Sequence, residues 1–200
     1  VALDAAERLA KVGKSVPDGA ENPFAIAAVR LLIFTGCRLS EILTMRWSHV
    51  DIARGTLLIP EPKEGKPKTV VLNAPAAKVF AGLPRLQGNP FVIVGRKEGE
   101  HLTDLEHPWM RLRKKAGLDG VRLHDLRHSF ASVAVAGGAS LPIIGALLGH
   151  SQPQTTARYA HLSADPLRAA SEAIGAQIAA AMTPKRKGLR GRASKSGEVL

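Results

Sequence analysis

One phenol and a set of cationic side chains are the groups of this sequence with the most evident chemistry. Tyr159 is the only tyrosine among 200 residues, and it lies in a polar stretch, GHSQPQTTARYAHL, at residues 149–162. A phenol with a pKa of about 10 is a weak nucleophile at neutral pH unless a base or a strong positive field assists it. Tyr159 is therefore either a half-buried packing residue or a nucleophile whose helpers lie elsewhere in the chain.

Two segments place a guanidinium one helical turn from a second polar group. In TGCRLSEIL, Arg38 precedes Glu41 by three residues, so the carboxylate can hold the guanidinium in a fixed direction or form an ordinary surface ion pair. In LHDLRHSF, His124 and Arg127 project from one face of a helix. An imidazole beside a guanidinium suits an anionic oxygen that must be both bound and protonated, although a solvated first helical turn has the same pattern.

The same segment allows a rival interpretation, a zinc hydrolase. His124 and His128 are four residues apart, which is the spacing of the zinc-binding H-E-x-x-H helix. Asp125 stands where that motif has glutamate, and Arg127 would place a cation beside the metal. No third ligand is marked by its spacing, although further histidines exist at His101, His107, His150 and His161. The sequence therefore favours a site without metal.

Two further features complete the set of helpers. A predicted hairpin turn contains Lys63, Lys66 and Lys68, and a lysine at a flexible turn can approach a bound strand and donate a proton, although most such turns are inert. His150 follows a glycine, which lets the backbone and the imidazole approach a ligand closely. The electrophile that suits a phenol among arginines is a phosphodiester, because the guanidinium groups neutralise its non-bridging oxygens while histidines and a lysine move protons.

This ordered set resembles the tyrosine recombinase family, the phage integrases and Xer-type recombinases, over nearly all of residues 20–182. The family has the order Arg, hairpin Lys, H-x-x-R, His or Trp, then Tyr. The short spacings HDLR and GH…Y are intact. The resemblance implies a mainly α fold with a small three-stranded antiparallel sheet, an α+β catalytic domain. The residues that match the order are Arg38, Lys63, His124, Arg127, His150 and Tyr159.

By that resemblance, Tyr159 attacks a DNA backbone phosphate, forms a 3′-phosphotyrosyl link and releases a 5′-hydroxyl. Arg38 and Arg127 would hold the phosphate, His124 would accept or donate a proton, and His150 would donate a hydrogen bond to the phosphate. The arginines would neutralise the phosphate oxygens and the histidines and lysine would move the protons, so no metal is expected. The covalent link conserves the phosphodiester energy, so no nucleotide cofactor is expected either. Type IB topoisomerases share this chemistry, and a DNA-binding regulator that does not cut is a further alternative.

The supporting residues follow from the same resemblance. Glu41 would support Arg38. Lys63 would be the general acid for the leaving 5′-oxygen, with Lys66 as the alternative, and Lys66 and Lys68 are expected to bind DNA.

Composition agrees with a polyanionic partner, nucleic acid or an anionic membrane surface. The net charge is +11, of which the tail from Lys185 carries +5, so +6 remains in residues 1–184. Cys37 is the only cysteine, which excludes an internal disulfide framework and favours a reducing compartment. The apolar run FAIAAVRLLIFTG is too short for a membrane span and is broken by Arg30. With the resemblance, these features predict a bacterial, cytoplasmic, nucleoid-associated protein whose partner is double-stranded DNA.

Local signals predict the elements that position these residues. A helix should begin at Asn22 and Pro23, run to about Thr35 and end at Gly36. RLSEILTMRW resumes a helical pattern as far as Trp47, and GTLLIPEPKEGKPKTVVLN has the pattern of a hairpin. Asn73 and Pro75 should begin another helix. FVIVG, residues 91–95, is the expected third strand. From residue 104 to about 182 the chain should be helical, with turns at glycines.

We expect three regions in the chain. Residues 1–21, with a short Ala-rich helix in 1–13, would be a linker or the end of a missing N-terminal DNA-binding domain. Residues 22–183 would be the catalytic domain, and residues 184–200 a basic, disordered tail. The resemblance also implies a homotetramer on paired DNA sites that exchanges its terminal helix, ADPLRAASEAIGAQIAAAM. The apolar face of that helix could equally pack on its own domain, and it comprises Leu167, Ala170, Ile174 and Ile178.

Overall fold

The computed structural model describes residues 22–61, 66–162, 171, 172 and 174–178. The chain divides into two compact units, Val1–Ala164 and Asp165–Leu200. In the second unit, residues 171, 172 and 174–178 are helical, and their side chains are exposed. The predicted helix within residues 1–13, the basic tail and the two apolar positions Leu167 and Ala170 lie outside the described residues.

The first helix, α1 (Pro23–Thr35), has the boundaries that the sequence predicts. The Asn22 side chain accepts a hydrogen bond from the backbone N–H of Phe24 at 2.9 Å, and proline occupies the first turn. Gly36 ends the helix in the left-handed conformation, with φ of 63°. Most of α1 is buried, including Leu31 and Leu32, so this helix forms the centre of the larger hydrophobic core.

A short helix and a small sheet follow α1. Helix α2 (Leu39–Leu43) ends earlier than the helical pattern predicts, because Trp47 already begins a 3-10 turn, Trp47–His49. Strands β1 (Val50–Asp51), β2 (Thr56–Ile59) and β3 (Lys68–Val71) form an antiparallel sheet in the order β1-β2-β3. Leu57 lies opposite Val70 and both are buried, which gives the sheet one core face.

The predicted third strand at residues 91–95 is wrong. Phe91 pairs only with Arg46 and Val94 only with His101, each in an isolated bridge, and the third strand of the sheet is β1. Ile93 and its neighbour Val92 are completely buried. Residues 91–95 are apolar because this segment crosses the core. Hydrophobic periodicity alone cannot distinguish a short buried segment of irregular structure from a buried strand, so the sequence pattern suggested a strand.

Helices complete the first unit. They are α3 (Ala74–Ala81), α4 (Glu106–Lys115), α5 (Leu123–Ala136), α6 (Leu141–Leu148) and α7 (Pro153–Ala157), followed by a 3-10 turn, Ala160–Leu162. Helix α1 packs against α3 and α5, and α6 packs against both α5 and α7. A mainly helical fold with a three-stranded antiparallel sheet is therefore confirmed. No helix within the described ranges is long and apolar enough to cross a bilayer.

Helix α5 joins two hydrophobic clusters. Its first half contributes Leu123 and Leu126 to the larger core. Its second half contributes to a smaller cluster that consists of Ala131, Val135, Ile144, Leu148 and Tyr159. The polar residues of α5 between these two groups therefore lie where both clusters meet, and that is the location of the candidate site.

Candidate active site

The start of α5 is fixed by a carboxylate, and this sets the direction in which its polar residues point. Asp125 accepts a hydrogen bond from the backbone N–H of Arg122 at 2.8 Å and another from the Arg122 guanidinium at 2.9 Å. A side chain in the first turn thus satisfies an N–H that has no partner within the helix. His124, Arg127 and His128 follow at spacings of three and four residues and share one face of the helix.

Arg127 is the buried centre of the site, with 5% of its surface exposed. Its guanidinium donates to the carbonyl of Gly36 at 2.6 Å and to the carbonyl of Leu148 at 2.8 Å. These carbonyls belong to the C-terminal ends of α1 and α6, where unpaired carbonyls and the helix dipole favour a cation. Burial, then the positive charge of Arg38, lowers the pKa of Arg127 from its usual value.

Arg38 is held by Glu41, as their spacing predicts. Glu41 accepts the backbone N–H of Arg38 at 2.8 Å and the Arg38 guanidinium at 3.2 Å. The second partner of this carboxylate is Lys68 on β3, whose ammonium lies 2.8 Å from Oε2. Burial by itself raises the pKa of Glu41, but the hydrogen bonds from Lys68 and Arg38 and the two positive charges outweigh it, so the pKa is lowered.

The turn that carries His150 is tied to the same network. Lys68 also donates to the Leu148 carbonyl, at 3.4 Å, so this carbonyl accepts from both Lys68 and Arg127. Gly149 adopts φ of 69°, and a Cβ at this position would lie 2.7 Å from Cδ of Lys68, so the turn requires glycine for two reasons. The turn is therefore packed directly against the lysine side chain.

His150 has a buried side-chain partner of its own. Its Nδ1 lies 2.8 Å from Oγ1 of Thr156, a residue with only 2% of its surface exposed. This hydrogen bond orients the imidazole of His150. Sequence reasoning missed Thr156, because the residue is six positions away and no periodic pattern relates it to the histidine.

Tyr159 is a packed residue whose hydroxyl also has a polar partner. It belongs to the smaller hydrophobic cluster with 5% of its surface exposed, and its hydroxyl lies 2.6 Å from Nδ1 of His128. Burial raises the pKa of the phenol, while the positive charges of Arg158 and Arg127 oppose that shift. The phenol oxygen of Tyr159 therefore lies beside an imidazole and within the influence of two guanidinium groups.

His124 lies at the exposed side of this arrangement. Its ring meets that of His128 edge to face, with 4.8 Å between the ring centroids. Burial and the charge of Arg127 lower its pKa, so the imidazole is neutral at pH 7. A cavity of about 370 Å³ opens beside it, and three arginines and His124 in its lining outnumber its one carboxylate, Glu106; the arginines are Arg113, Arg122 and Arg127. Such a cavity suits an anionic ligand.

The three turn lysines have different positions. Lys63 lies outside the described residues. Lys66 is exposed. Lys68, which we expected to bind DNA, instead has 14% of its side chain exposed and is paired with Glu41, so it faces the network around Arg38. Sequence reasoning missed this contact, since the two residues are 27 positions apart.

The zinc interpretation gains no third ligand. Over the part of the chain that the structure describes, no group of three His, Cys, Asp or Glu side chains is arranged to hold a metal ion. His128, the second histidine of the supposed motif, directs its Nδ1 to the hydroxyl of Tyr159.

Comparison with known proteins agrees with this geometry. The sequence matches the Phage integrase family over residues 3–165. The chain belongs to the phage integrase family. It is 32% identical over 145 residues to tyrosine recombinase XerA of Saccharolobus solfataricus, which covers 70% of this chain and 46% of that protein. It is 30% identical over 177 residues to tyrosine recombinase XerC 2 of Ralstonia nicotianae, covering 82% and 49% respectively.

Solved structures of this family share the fold. The catalytic domain of bacteriophage HP1 integrase superimposes with a TM-score of 0.64 at 25% identity, over 83% of this chain and 90% of that one. XerH recombinase in a post-cleavage complex with the palindromic difH substrate gives a TM-score of 0.67 at 25% identity, over 82% of this chain and 51% of that one. The expected tyrosine recombinase catalytic-domain fold is thus confirmed. The chain spans about half the length of the XerA and XerC 2 relatives.

Proposed function

We propose that this phage integrase family chain is the catalytic part of a site-specific DNA recombinase, which cuts and rejoins strands through a 3′-phosphotyrosyl intermediate. The observation that carries the proposal is the position of Arg127. This buried guanidinium bonds to Gly36, two residues before Arg38, and to Leu148, two residues before His150. The residues that the family order relates along the chain are thus gathered around one cation, and its charge also acts on Tyr159.

The geometry supports roles for four of the candidate residues. Arg38 and Arg127 bind the non-bridging oxygens of the scissile phosphate, where charge accumulates in the transition state. His150, oriented by Thr156, donates a hydrogen bond to the same phosphate. Tyr159 attacks the phosphorus. The attack forms a 3′-phosphotyrosyl bond and breaks the bond to the 5′-oxygen, and attack by another 5′-hydroxyl reverses these steps.

The leaving 5′-oxygen needs a proton, and the turn between β2 and β3 is the proposed source. Lys63 is the candidate that the family order indicates, and Lys66, which is exposed on the same turn, is the alternative. Lys66 is also a candidate for binding the DNA backbone. We do not assign Lys68 to DNA binding, because it is paired with Glu41 and only 14% of its side chain is exposed.

Double-stranded DNA is the proposed partner. The net charge of +11 favours a polyanion, and related recombinases have been crystallised with DNA substrates, including XerH with difH and lambda integrase with a core site. A protein that acts on bacterial DNA would reside in the cytoplasm with the nucleoid. The proposed reaction conserves the energy of the phosphodiester, so it needs no nucleotide cofactor. Arg38 and Arg127 are proposed to neutralise the phosphate oxygens in place of a metal ion.

A covalent trap tests the proposed function and finds the DNA site in the same experiment. The 200-residue chain is incubated with a pool of nicked duplexes that have a randomised core sequence. Because of the nick, cleavage releases a short strand that diffuses away, and the covalent intermediate is trapped. Protein–DNA adducts that survive denaturation are recovered and sequenced, and the recovered sequence becomes the fixed substrate for later measurements. We expect an adduct from the wild type, unaffected by a chelator, and none from Tyr159→Phe.

The matched variant makes the outcome specific. Tyr159→Phe removes one oxygen from a packed ring and leaves its hydrophobic contacts, so its stability and DNA affinity should stay close to those of the wild type. DNA binding without any adduct would indicate a regulator that does not cut, and loss of the adduct on chelation would revive the zinc interpretation. An adduct formed by the phenylalanine variant would show that another residue is the nucleophile.

Assembly through the terminal helix remains part of the proposal. Ile174 and Ile178 are apolar yet exposed at 58% and 54%, which suits a surface that packs on a neighbouring subunit of a tetramer. Ending the chain after Ser163 should then abolish complexes of paired DNA sites while a chain that ends after Thr183 keeps them. Paired complexes formed by the shorter chain would show that the helix serves only its own subunit.

A further inference from the structure

His128 is in direct contact with the hydroxyl of the proposed nucleophile, and the roles assigned so far do not use it. Its Nδ1 lies 2.6 Å from Oη of Tyr159, within the usual range for a hydrogen bond donated by a hydroxyl. The two rings are tilted, with 5.9 Å between their centroids. His124, the histidine that the family order marks, instead contacts the ring of His128 on its exposed side.

The direction of this hydrogen bond follows from the acidity of the two groups. The phenol O–H is a far stronger acid than the N–H of a neutral imidazole, so the stronger bond has the hydroxyl of Tyr159 donating to the lone pair of Nδ1. Burial lowers the pKa of His128 and raises the pKa of Tyr159, so both groups are neutral at pH 7. The phenol proton thus already points at a nitrogen that is free to accept it.

We infer that His128 is a catalytic residue that takes the proton of Tyr159 as the phenol oxygen attacks the phosphate. This inference rests on the proposed function and adds to it the identity of the base. The proton moves from Oη to Nδ1 while the electron pair of the O–H bond forms the bond to phosphorus. The bond from phosphorus to the 5′-oxygen breaks, and that oxygen takes its proton from a separate acid, for which Lys63 is proposed. In rejoining, the imidazolium of His128 returns the proton to the phenol.

The surrounding charges fit a base that is neutral at rest and charged only briefly. On α5, Arg127 and His124 disfavour protonation of His128, and Arg158 at the end of α7 does the same. Asp125 on α5 opposes them and stabilises the imidazolium. The positive groups therefore keep the imidazole of His128 unprotonated, and they also stabilise the negative charge that develops on Oη of Tyr159.

Substitutions of His128 distinguish two possible roles, a base that takes the phenol proton and a hydrogen-bond acceptor that only positions the phenol. His128→Ala removes the acceptor. His128→Asn places an amide oxygen near the position of Nδ1, so it can accept the hydrogen bond but cannot take a proton at neutral pH. His107→Ala, which removes an exposed histidine of α4, is the control. Cleavage is measured in single turnovers on the duplex captured by the wild type, and DNA affinity and thermal stability are measured in parallel.

We expect both substitutions at His128 to slow cleavage by about a hundredfold or more, the lower end of what general base catalysis contributes, with DNA affinity retained. The wild-type rate should rise with pH as His128 loses its proton and then level off. The rates of both variants should keep rising, about tenfold per pH unit, because only the phenolate then reacts. The His107→Ala rate should equal that of the wild type.

Other outcomes overturn the inference. A wild-type rate in His128→Asn means that the residue only holds the phenol, and a wild-type rate in His128→Ala means that it has no part in the reaction. Full recovery of His128→Ala on a strand with sulfur at the bridging 5′ position, a leaving group that needs no proton, would place His128 on the leaving-group side. Absence of any wild-type adduct would instead refute the proposed function itself.

Discussion

The ion pair between Glu41 and Lys68 should be among the strongest electrostatic contributions to the stability of this domain. Its ammonium and carboxylate are 2.8 Å apart, and the two side chains are only 14% and 3% exposed. Removing one partner of a fully buried pair costs about 3–5 kcal/mol, because the other charge stays buried. The contacts of Glu41 with Arg38 and the partial exposure of Lys68 reduce this, so we expect about 2–3 kcal/mol for each single substitution.

A double-mutant cycle measures the interaction itself. Lys68→Met, Glu41→Gln and the double variant are unfolded in urea at pH 7, and unfolding is followed by the fluorescence of the two tryptophans. The double variant should cost less than the two single variants together, by about 1.5–2 kcal/mol. The control cycle uses Asp51 and Arg54, whose groups are 3.7 Å apart and 43% and 85% exposed, and it should give less than about 0.5 kcal/mol.

The pH dependence of the same pair has a defined sign. The folded-state pKa of Glu41 is lowered below its ordinary value of 4.5, so the carboxylate contributes stability that is fully present above that value. This contribution is lost as the pH falls through the lowered pKa. The advantage of the wild type over Glu41→Gln should therefore be constant near neutral pH and shrink in acid. A coupling energy between Glu41 and Lys68 as small as that between Asp51 and Arg54 would refute this reasoning. Lys68 would then be a solvent-facing lysine that is available to bind DNA.

Two further substitutions test the positioning of the site. Thr156→Val should lower single-turnover cleavage about tenfold because it frees the imidazole that the hydroxyl orients, whereas Thr156→Ser should keep most of the rate. Equal rates for the valine variant and the wild type would exclude this role. Gly36→Ala should destabilise the fold by about 1–3 kcal/mol more than Gly117→Ala. Both glycines have φ of 63°, but only the first would place its Cβ 2.7 Å from an aromatic ring, so equal losses in urea unfolding would contradict this account.

Both ends of α1 and the start of α3 were predictable from the sequence because their causes are local. Asn22 and Asn73 each accept a backbone N–H two or three residues further on, and a proline stands within the first turn of both helices. Gly36 ends α1 because the left-handed conformation costs glycine little. Each signal involves residues in immediate succession, so a single sequence contains all the information.

Contacts between distant segments were not predictable in this way. The residues joined by the hydrogen bond of His128 to Tyr159 are 31 positions apart, and those joined by the bond of Arg127 to Gly36 are 91 apart. Spacing along one helix correctly groups residues on its face, but it does not show which of them meets a partner from another helix. His128 was therefore considered only as a metal ligand, while the candidate residues themselves could be named because their order matches a known family.

The carbonyl of Leu148 shows why the site depends on contacts between segments that are distant in the sequence. It accepts hydrogen bonds from Lys68 on β3 and from Arg127 on α5, and it is the last carbonyl of the helix that precedes the His150 turn. Strand β3 is also one arm of the hairpin whose turn contains Lys63 and Lys66. One backbone oxygen thus links the proposed source of the leaving-group proton to the two side chains proposed to bind the phosphate, Arg127 and His150. A Cβ at position 149 would lie 2.7 Å from Cδ of Lys68, so this turn packs closely against the lysine side chain. Lys68 therefore connects β3 both to the end of α6, through the Leu148 carbonyl, and to Arg38, through Glu41, and a solvent-facing lysine would make neither connection.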